Sequence, residues 1–171
     1  MSEVIENCPQ CTEEVTAESD FCPHCGILFE TAGSPQCQRH PDAAAIGVCI
    51  IDREPGCDRC LKSVQGKFLC VEHRAVEVRQ DWASVFASNE INEAELVRVV
   101  LKENGVTVLE QNFNSVGFVL DGGGDSPISR SNLNKAAKVF VPIPEFLNAK
   151  RLIDEWASGV TPIEDNEILE P

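Results

Sequence analysis

Cysteine and histidine pairs with metal-ligand spacing occupy positions 37 to 73. Each pair has two residues between its members, and one tight turn can then aim both side chains at the same ion. The four pairs are Cys37 with His40, Cys49 with Asp52, Cys57 with Cys60, and Cys70 with His73. Zinc takes four ligands from Cys, His and Asp side chains, so these eight residues predict two zinc sites.

The intervals between the pairs indicate which of them share an ion. Four residues separate the second pair from the third, whereas the other two intervals contain eight and nine residues. So short a segment makes it difficult for the second and third pairs to close on one ion, and the spacing favours an interleaved arrangement. The ligands of one zinc are then Cys37, His40, Cys57 and Cys60, and those of the other are Cys49, Asp52, Cys70 and His73.

This segment resembles a B-box zinc finger in the order of its ligand pairs. Further points of resemblance are Pro41 directly after His40 and the sequence Gly-Lys-Phe-Leu before Cys70. The resemblance covers 37 of the 171 residues and implies cross-braced zinc binding. The family accepts either Cys or Asp at the position of Asp52. The alternative for Asp52 is a solvated loop aspartate, with Glu54 or water completing the site.

A second metal-binding pattern lies in residues 1–30. Two Cys-x-x-Cys pairs are separated by ten residues, and their members are Cys8, Cys11, Cys22 and Cys25. Four thiolates close a tetrahedral site completely, so the pattern predicts a third, structural zinc ion. The segment resembles the short zinc ribbons at the N-termini of many bacterial proteins. A redox function for the pairs requires a thioredoxin-like βαβ context, which is not found around them.

From position 81 onward the hydrophobic pattern changes to strands and helices. We expect strands near 82–87, 106–109, 116–120 and 139–142, with helices near 90–103 and 144–158. Phe146, Ala149, Ile153 and Trp156 recur at helical spacing and predict the buried face of the second helix. The order predicts an α+β sandwich. The first helix begins with Asn-Glu-Ala-Glu-Leu and ends in Lys-Glu-Asn-Gly-Val, and a Val-Phe-Val-Pro strand precedes the second helix. In these features residues 82–158 resemble a bacterial family of prokaryotic signal-transducing proteins, which implies a ferredoxin-like fold.

The sequence therefore predicts small zinc-stabilised modules followed by an α+β domain. The predicted segments are a zinc ribbon at 1–30, a linker at 31–36, a B-box-type finger at 37–73, a connector at 74–80, a ferredoxin-like α+β domain at 81–160 and an acidic tail at 161–171. All nine cysteines fall in the predicted zinc sites, which leaves none for nucleophilic catalysis.

Charge and targeting signals limit the classes of partner. The formal net charge of −14 opposes binding to nucleic acid and to anionic membrane surfaces. No run of 18 apolar residues is present, and the first residues lack the basic and apolar regions of a signal peptide. These features predict a cytoplasmic protein, in which nine cysteines favour metal over disulfides because the cytosol keeps thiols reduced.

The function that these features predict is that of a non-enzymatic zinc-binding adaptor for protein–protein interaction. Phe68 and Leu69 are the residues that we expect at its contact surface. Three alternatives remain: a ligand- or metal-responsive signalling sensor through the C-terminal domain, a nucleic-acid-binding protein, and a ubiquitin-ligase-type protein. The net negative charge opposes nucleic-acid binding. Of the features of a ubiquitin-ligase-type protein, the sequence shows only the zinc finger.

Overall fold

A computed structural model describes residues 5–29, 35–113 and 135–159. The predicted strand at 116–120 and the predicted tail at 161–171 lie outside these residues, as does most of the predicted linker. The chain divides into two compact units, Met1–Ser84 with Pro142–Pro144 and Val85–Val141 with Glu145–Pro171. The part of the chain that the structure describes contains no helix long and apolar enough to cross a bilayer.

Within residues 5–29 and 35–73, the first unit contains three antiparallel strand pairs. Their strands are β1 (Ile5–Asn7) with β2 (Glu14–Thr16), β3 (Gly47–Val48) with β4 (Pro55–Gly56), and β5 (Leu61–Val64) with β6 (Lys67–Cys70). Gln65 and Gly66 both have positive φ, 51° and 79°, as the tight turn between β5 and β6 requires. The predicted ribbon and the predicted finger therefore lie in one compact unit.

The core of the first unit is small and consists largely of cysteine. Its large buried aliphatic side chains are Ile50, Ile51, Leu61, Leu69 and Ile143, and most of the other buried side chains are cysteines. Cores of this size seldom stabilise a fold alone, and small domains commonly add a structural metal or disulfides. We therefore expect the first unit to depend for its stability on metal ions bound by its cysteines.

After residue 74, the described residues contain a four-stranded sheet, two α-helices and a short 3-10 helix at Ile143–Glu145. The remaining elements are β7 (Val78–Arg79), β8 (Trp82–Ser88), α1 (Ile91–Glu103), β9 (Leu109–Gln111), β10 (Ala137–Pro142) and α2 (Phe146–Ala157). The strand order is β7-β8-β10-β9, and the two helices contact each other. Strand and helix content is therefore mixed, as the sequence predicts.

Two details of the second unit differ from the sequence-based expectation. The strand expected at 106–109 begins only at Leu109, because the Val106 N–H donates to Leu101 and the Thr107 N–H donates to the Glu145 carboxylate. These bonds direct the two N–H groups away from a strand partner. Trp156, expected on the buried face of α2, is 44% exposed. The buried face of α2 is therefore narrower than the stripe of apolar residues that its sequence predicts.

Candidate metal centres

The structure brings twelve side chains together in three groups of four. Within each group the ligand atoms all lie within 4.8 Å of one another. We call the groups the four-cysteine site (Cys8, Cys11, Cys22, Cys25), the His40 site (Cys37, His40, Cys57, Cys60) and the Asp52 site (Cys49, Asp52, Cys70, His73). Each group can hold one metal ion. The last two groups are interleaved along the chain, which is the grouping that the spacing favours.

A recurring backbone turn presents the paired ligands. In five of the six pairs, the carbonyl oxygen of the first ligand accepts the N–H group four positions later, at 2.8–2.9 Å. The donors are Thr12, Gly26, Arg53, Leu61 and Arg74. Such a turn places both ligands on its inner side. The two-residue spacing is therefore a property of one local turn, which explains why the sequence reveals it.

The hairpin of β3 and β4 separates the His40 site from the Asp52 site. Cys49 and Asp52 lie in the loop that joins the two strands, whereas Cys57 directly follows β4, at the other end of the hairpin. The four residues between Asp52 and Cys57 thus span the hairpin. A pair at one end cannot share an ion with a pair at the other end, so each finds its partner pair elsewhere in the chain.

The Asp52 site combines three kinds of donor atom. His73 Nδ1 lies 3.7 Å from Cys49 Sγ, 3.2 Å from Cys70 Sγ and 3.1 Å from Asp52 Oδ2. The other carboxylate oxygen of Asp52 accepts the Glu54 N–H at 3.0 Å. Only Oδ2 therefore faces the other ligands, and Asp52 can bind as a one-oxygen ligand. Asp52, and not Glu54, belongs to the group.

The other two sites contain more thiols than the Asp52 site, three in the His40 site and four in the four-cysteine site. In the His40 site, His40 Nδ1 lies 3.3–3.7 Å from the three sulfur atoms, and Cys37 Sγ lies 3.7 Å from Cys60 Sγ. In the four-cysteine site, sulfur–sulfur distances are 3.8 Å for Cys8 to Cys25 and 3.6 Å for Cys11 to Cys22. A disulfide bond measures about 2.05 Å, so the cysteines are separate thiols.

Each site contains one group that ionises readily. Burial opposes ionisation of Cys37 and Cys8, but backbone N–H groups outweigh it and lower the pKa of these thiols to about 6 and about 7. Burial is likewise outweighed at Asp52, where the Glu54 N–H holds the carboxyl pKa below its usual value. By contrast, burial raises the pKa of Cys70 to about 12. Because thiols bind metal as thiolates, metal binding releases the protons of those thiols that are still protonated.

The two residues expected at a contact surface lie mainly in packing positions. Leu69 is only 1% exposed. Phe68 is half-buried, and its ring lies so close to Gly47 that a Cβ there would come within 2.7 Å of Phe68 Cδ2. Among the described residues of the first unit, the exposed large apolar side chains are Ile46 and Val71, at 46% and 45%. Sequence reasoning did not identify these two residues, because isolated apolar residues carry no periodic signal.

Comparison with family models, with curated proteins and with solved structures finds no match for this chain. Its three four-ligand clusters, each of which could hold a metal ion, are nevertheless consistent with metal-binding modules.

Proposed function

We propose that the three sites bind zinc. Tetrahedral zinc with Zn–S bonds of about 2.3 Å and Zn–N bonds of about 2.0 Å requires about 3.8 Å between sulfurs and about 3.5 Å between sulfur and nitrogen. The observed distances, 3.6–3.8 Å and 3.2–3.7 Å, lie close to those values. The donor set of nine thiols, two imidazoles and one carboxylate is also a zinc set.

The finer fold assignments are part of the same proposal. The hairpin of β1 and β2 beside the four-cysteine site supports a zinc ribbon, and the interleaved grouping supports a B-box-type finger. The sheet with two helices supports a ferredoxin-like α+β domain. The likeness of that domain to signal-transducing proteins supports a regulatory role.

The zinc ions serve structure, and the protein is a non-enzymatic adaptor. One observation carries this proposal: four protein ligands close each site, which leaves no position at the metal for water or substrate. Catalytic zinc sites keep such a position open. Rigid zinc-stabilised modules without an active site suit protein–protein contact. The charge of −14 favours a protein partner with basic groups over nucleic acid or membrane.

Cobalt(II) substitution tests whether the sites are closed. Cobalt replaces zinc in tetrahedral sites and gives a visible spectrum that changes when an anion joins the coordination shell. We expect the spectrum of the protein with three cobalt ions to stay unchanged on titration with azide, because every position is occupied. A new band with saturable azide dependence would reveal an open position and would contradict a purely structural role.

Exposed apolar residues give the adaptor proposal its binding test. Ile46→Ser and Val71→Ser each change an exposed side chain without removing a ligand, so both variants should keep three metal ions. A partner captured by the zinc-loaded chain should be lost from at least one of them, at a cost of about 1–3 kcal/mol. Leu147→Ser, at an exposed residue of α2, is the matched control. Equal capture by all variants would remove this surface from the proposal.

A further inference from the structure

Residues 22–26, which contain the second cysteine pair, are called the knuckle here, and residues 37–73 are called the finger. Three consecutive backbone carbonyls of the knuckle accept hydrogen bonds from the finger. The Lys67 ammonium donates to the His24 carbonyl at 2.8 Å, the Phe68 N–H to Cys25 at 2.8 Å, and the Val48 N–H to Gly26 at 2.7 Å. All these residues belong to the first compact unit. The knuckle that carries two ligands of the four-cysteine site is therefore held against the finger by its backbone.

The donors of these bonds lie next to ligands of the Asp52 site. Val48 is the last residue of β3 and directly precedes Cys49, and β6 contains both Phe68 and Cys70. The Ile50 N–H donates to the Phe68 carbonyl at 3.0 Å and joins the two segments. A metal ion that binds Cys49 and Cys70 would therefore fix the two strands that hold the knuckle. The ligands of the His40 site lie outside both strands.

The Asp52 site has the weakest ligand set of the three. It offers two thiols, against three in the His40 site and four in the four-cysteine site. Its carboxylate presents a single oxygen, because the Glu54 N–H takes the other. Oxygen is a poorer donor than thiolate for zinc-type metals. Two of its ligands, Asp52 and His73, are only partly buried, with 13% of each side chain exposed, whereas each of the other sites has one partly buried ligand.

We propose that the Asp52 site is the exchangeable metal site of this chain and that its occupancy controls how firmly the finger holds the knuckle of the four-cysteine site. This inference rests on the proposed zinc binding and adds a metal-responsive element to it. Release of the ion frees Cys49 and Cys70, which loosens β3 and β6 and weakens the bonds to the knuckle. An empty Asp52 site therefore lowers the metal affinity of the four-cysteine site. Because coupling between two sites is reciprocal, an empty four-cysteine site lowers the metal affinity of the Asp52 site by the same factor.

Stepwise metal competition in the full-length protein tests the proposal. A zinc chelator is titrated into the zinc-loaded chain while native mass spectrometry counts the ions. We expect one ion to leave first, and we expect this step to be missing from Asp52→Ala, which should bind two ions. Asp52→Cys supplies a third thiolate and should move the step to higher chelator concentration by at least about tenfold.

Amide hydrogen exchange measures the coupling at the knuckle. After the first ion leaves, the Val48 and Phe68 N–H groups should exchange faster, and the four-cysteine site should bind zinc about 5–10-fold more weakly, at the lower end of typical couplings. Lys67→Ala removes one of the three hydrogen bonds to the knuckle. This variant should still bind three ions, but the loss of zinc affinity at the four-cysteine site should be smaller than about 5–10-fold. Lys62→Ala is the control, because its ammonium bonds only to the Asp58 carbonyl within the finger.

The possible outcomes separate this inference from the zinc proposal. A wild-type count below three ions, with reactive thiols, would overturn both. Three ions that leave in one step, or an Asp52 site that empties last, would overturn the exchangeable site and leave zinc binding intact. A first release that leaves Val48 and Phe68 protected and the four-cysteine affinity unchanged would overturn the coupling.

Discussion

Complete removal of metal is expected to unfold the first unit while the two helices persist. Structural zinc contributes about 10–16 kcal/mol per ion in small zinc modules, far more than the few aliphatic residues of this core can supply. The helices α1 and α2 belong to the second unit, where Ala94, Val97 and Leu101 are buried without any predicted ligand. A chelator in excess should therefore make all nine thiols reactive, while the helical circular dichroism signal is retained.

The control for this experiment is the re-addition of single metals. Zinc should restore thiol protection, whereas magnesium should not, because magnesium prefers oxygen ligands in octahedral geometry. Mass spectrometry must show that the chelated protein carries no metal. Thiols that remain protected in the metal-free chain would contradict the conclusion that metal stabilises the first unit.

Gly26→Ala is expected to destabilise the contact between the knuckle and the finger. Gly26 has φ of +83°, and a Cβ there would lie 2.1 Å from the Val48 carbonyl oxygen. A residue other than glycine pays roughly 1–2 kcal/mol for the left-handed conformation, and relief of the overlap adds about 1–3 kcal/mol. We expect a total loss of about 2–5 kcal/mol at fixed zinc concentration, measured by denaturant unfolding, with faster exchange of the Val48 N–H.

Gly66→Ala provides the matched control for the backbone conformation. Gly66 has a similar φ of +79°, but a Cβ there would meet no atom within 4 Å. The cost should be limited to the left-handed strain, about 1–2 kcal/mol. Equal destabilisation by the two substitutions would show that the close approach of Gly26 to the finger contributes nothing.

The metal ligands could be read from the sequence because their geometry is local. A single turn, closed by a bond such as Leu61 N–H to the Cys57 carbonyl, fixes the two-residue spacing. The interleaved grouping follows from one further fact, the shortness of the four-residue segment between Asp52 and Cys57. Neither inference needs knowledge of distant contacts, so pattern and spacing suffice.

The packing of the knuckle on the finger could not be predicted from sequence pattern and spacing. Its acceptors are the carbonyls of His24, Cys25 and Gly26, and every residue type has a carbonyl. In the second unit, the period of α2 places Trp156 on the apolar stripe, but neighbouring elements decide how wide a stripe they cover, and Trp156 remains 44% exposed. Contacts set by tertiary neighbours leave no periodic signal in the chain.

The most direct test of the three-site arrangement is proton–cadmium correlation NMR of the chain loaded with cadmium-113. Each ion couples to the β-protons of the cysteines that bind it, so the spectrum identifies which cysteines share an ion. The structure predicts three cadmium signals, coupled to four, three and two cysteines, with Cys57 in the set of Cys37 and Cys70 in the set of Cys49. Fewer than three signals, or one ion coupled to both Cys49 and Cys57, would contradict the arrangement.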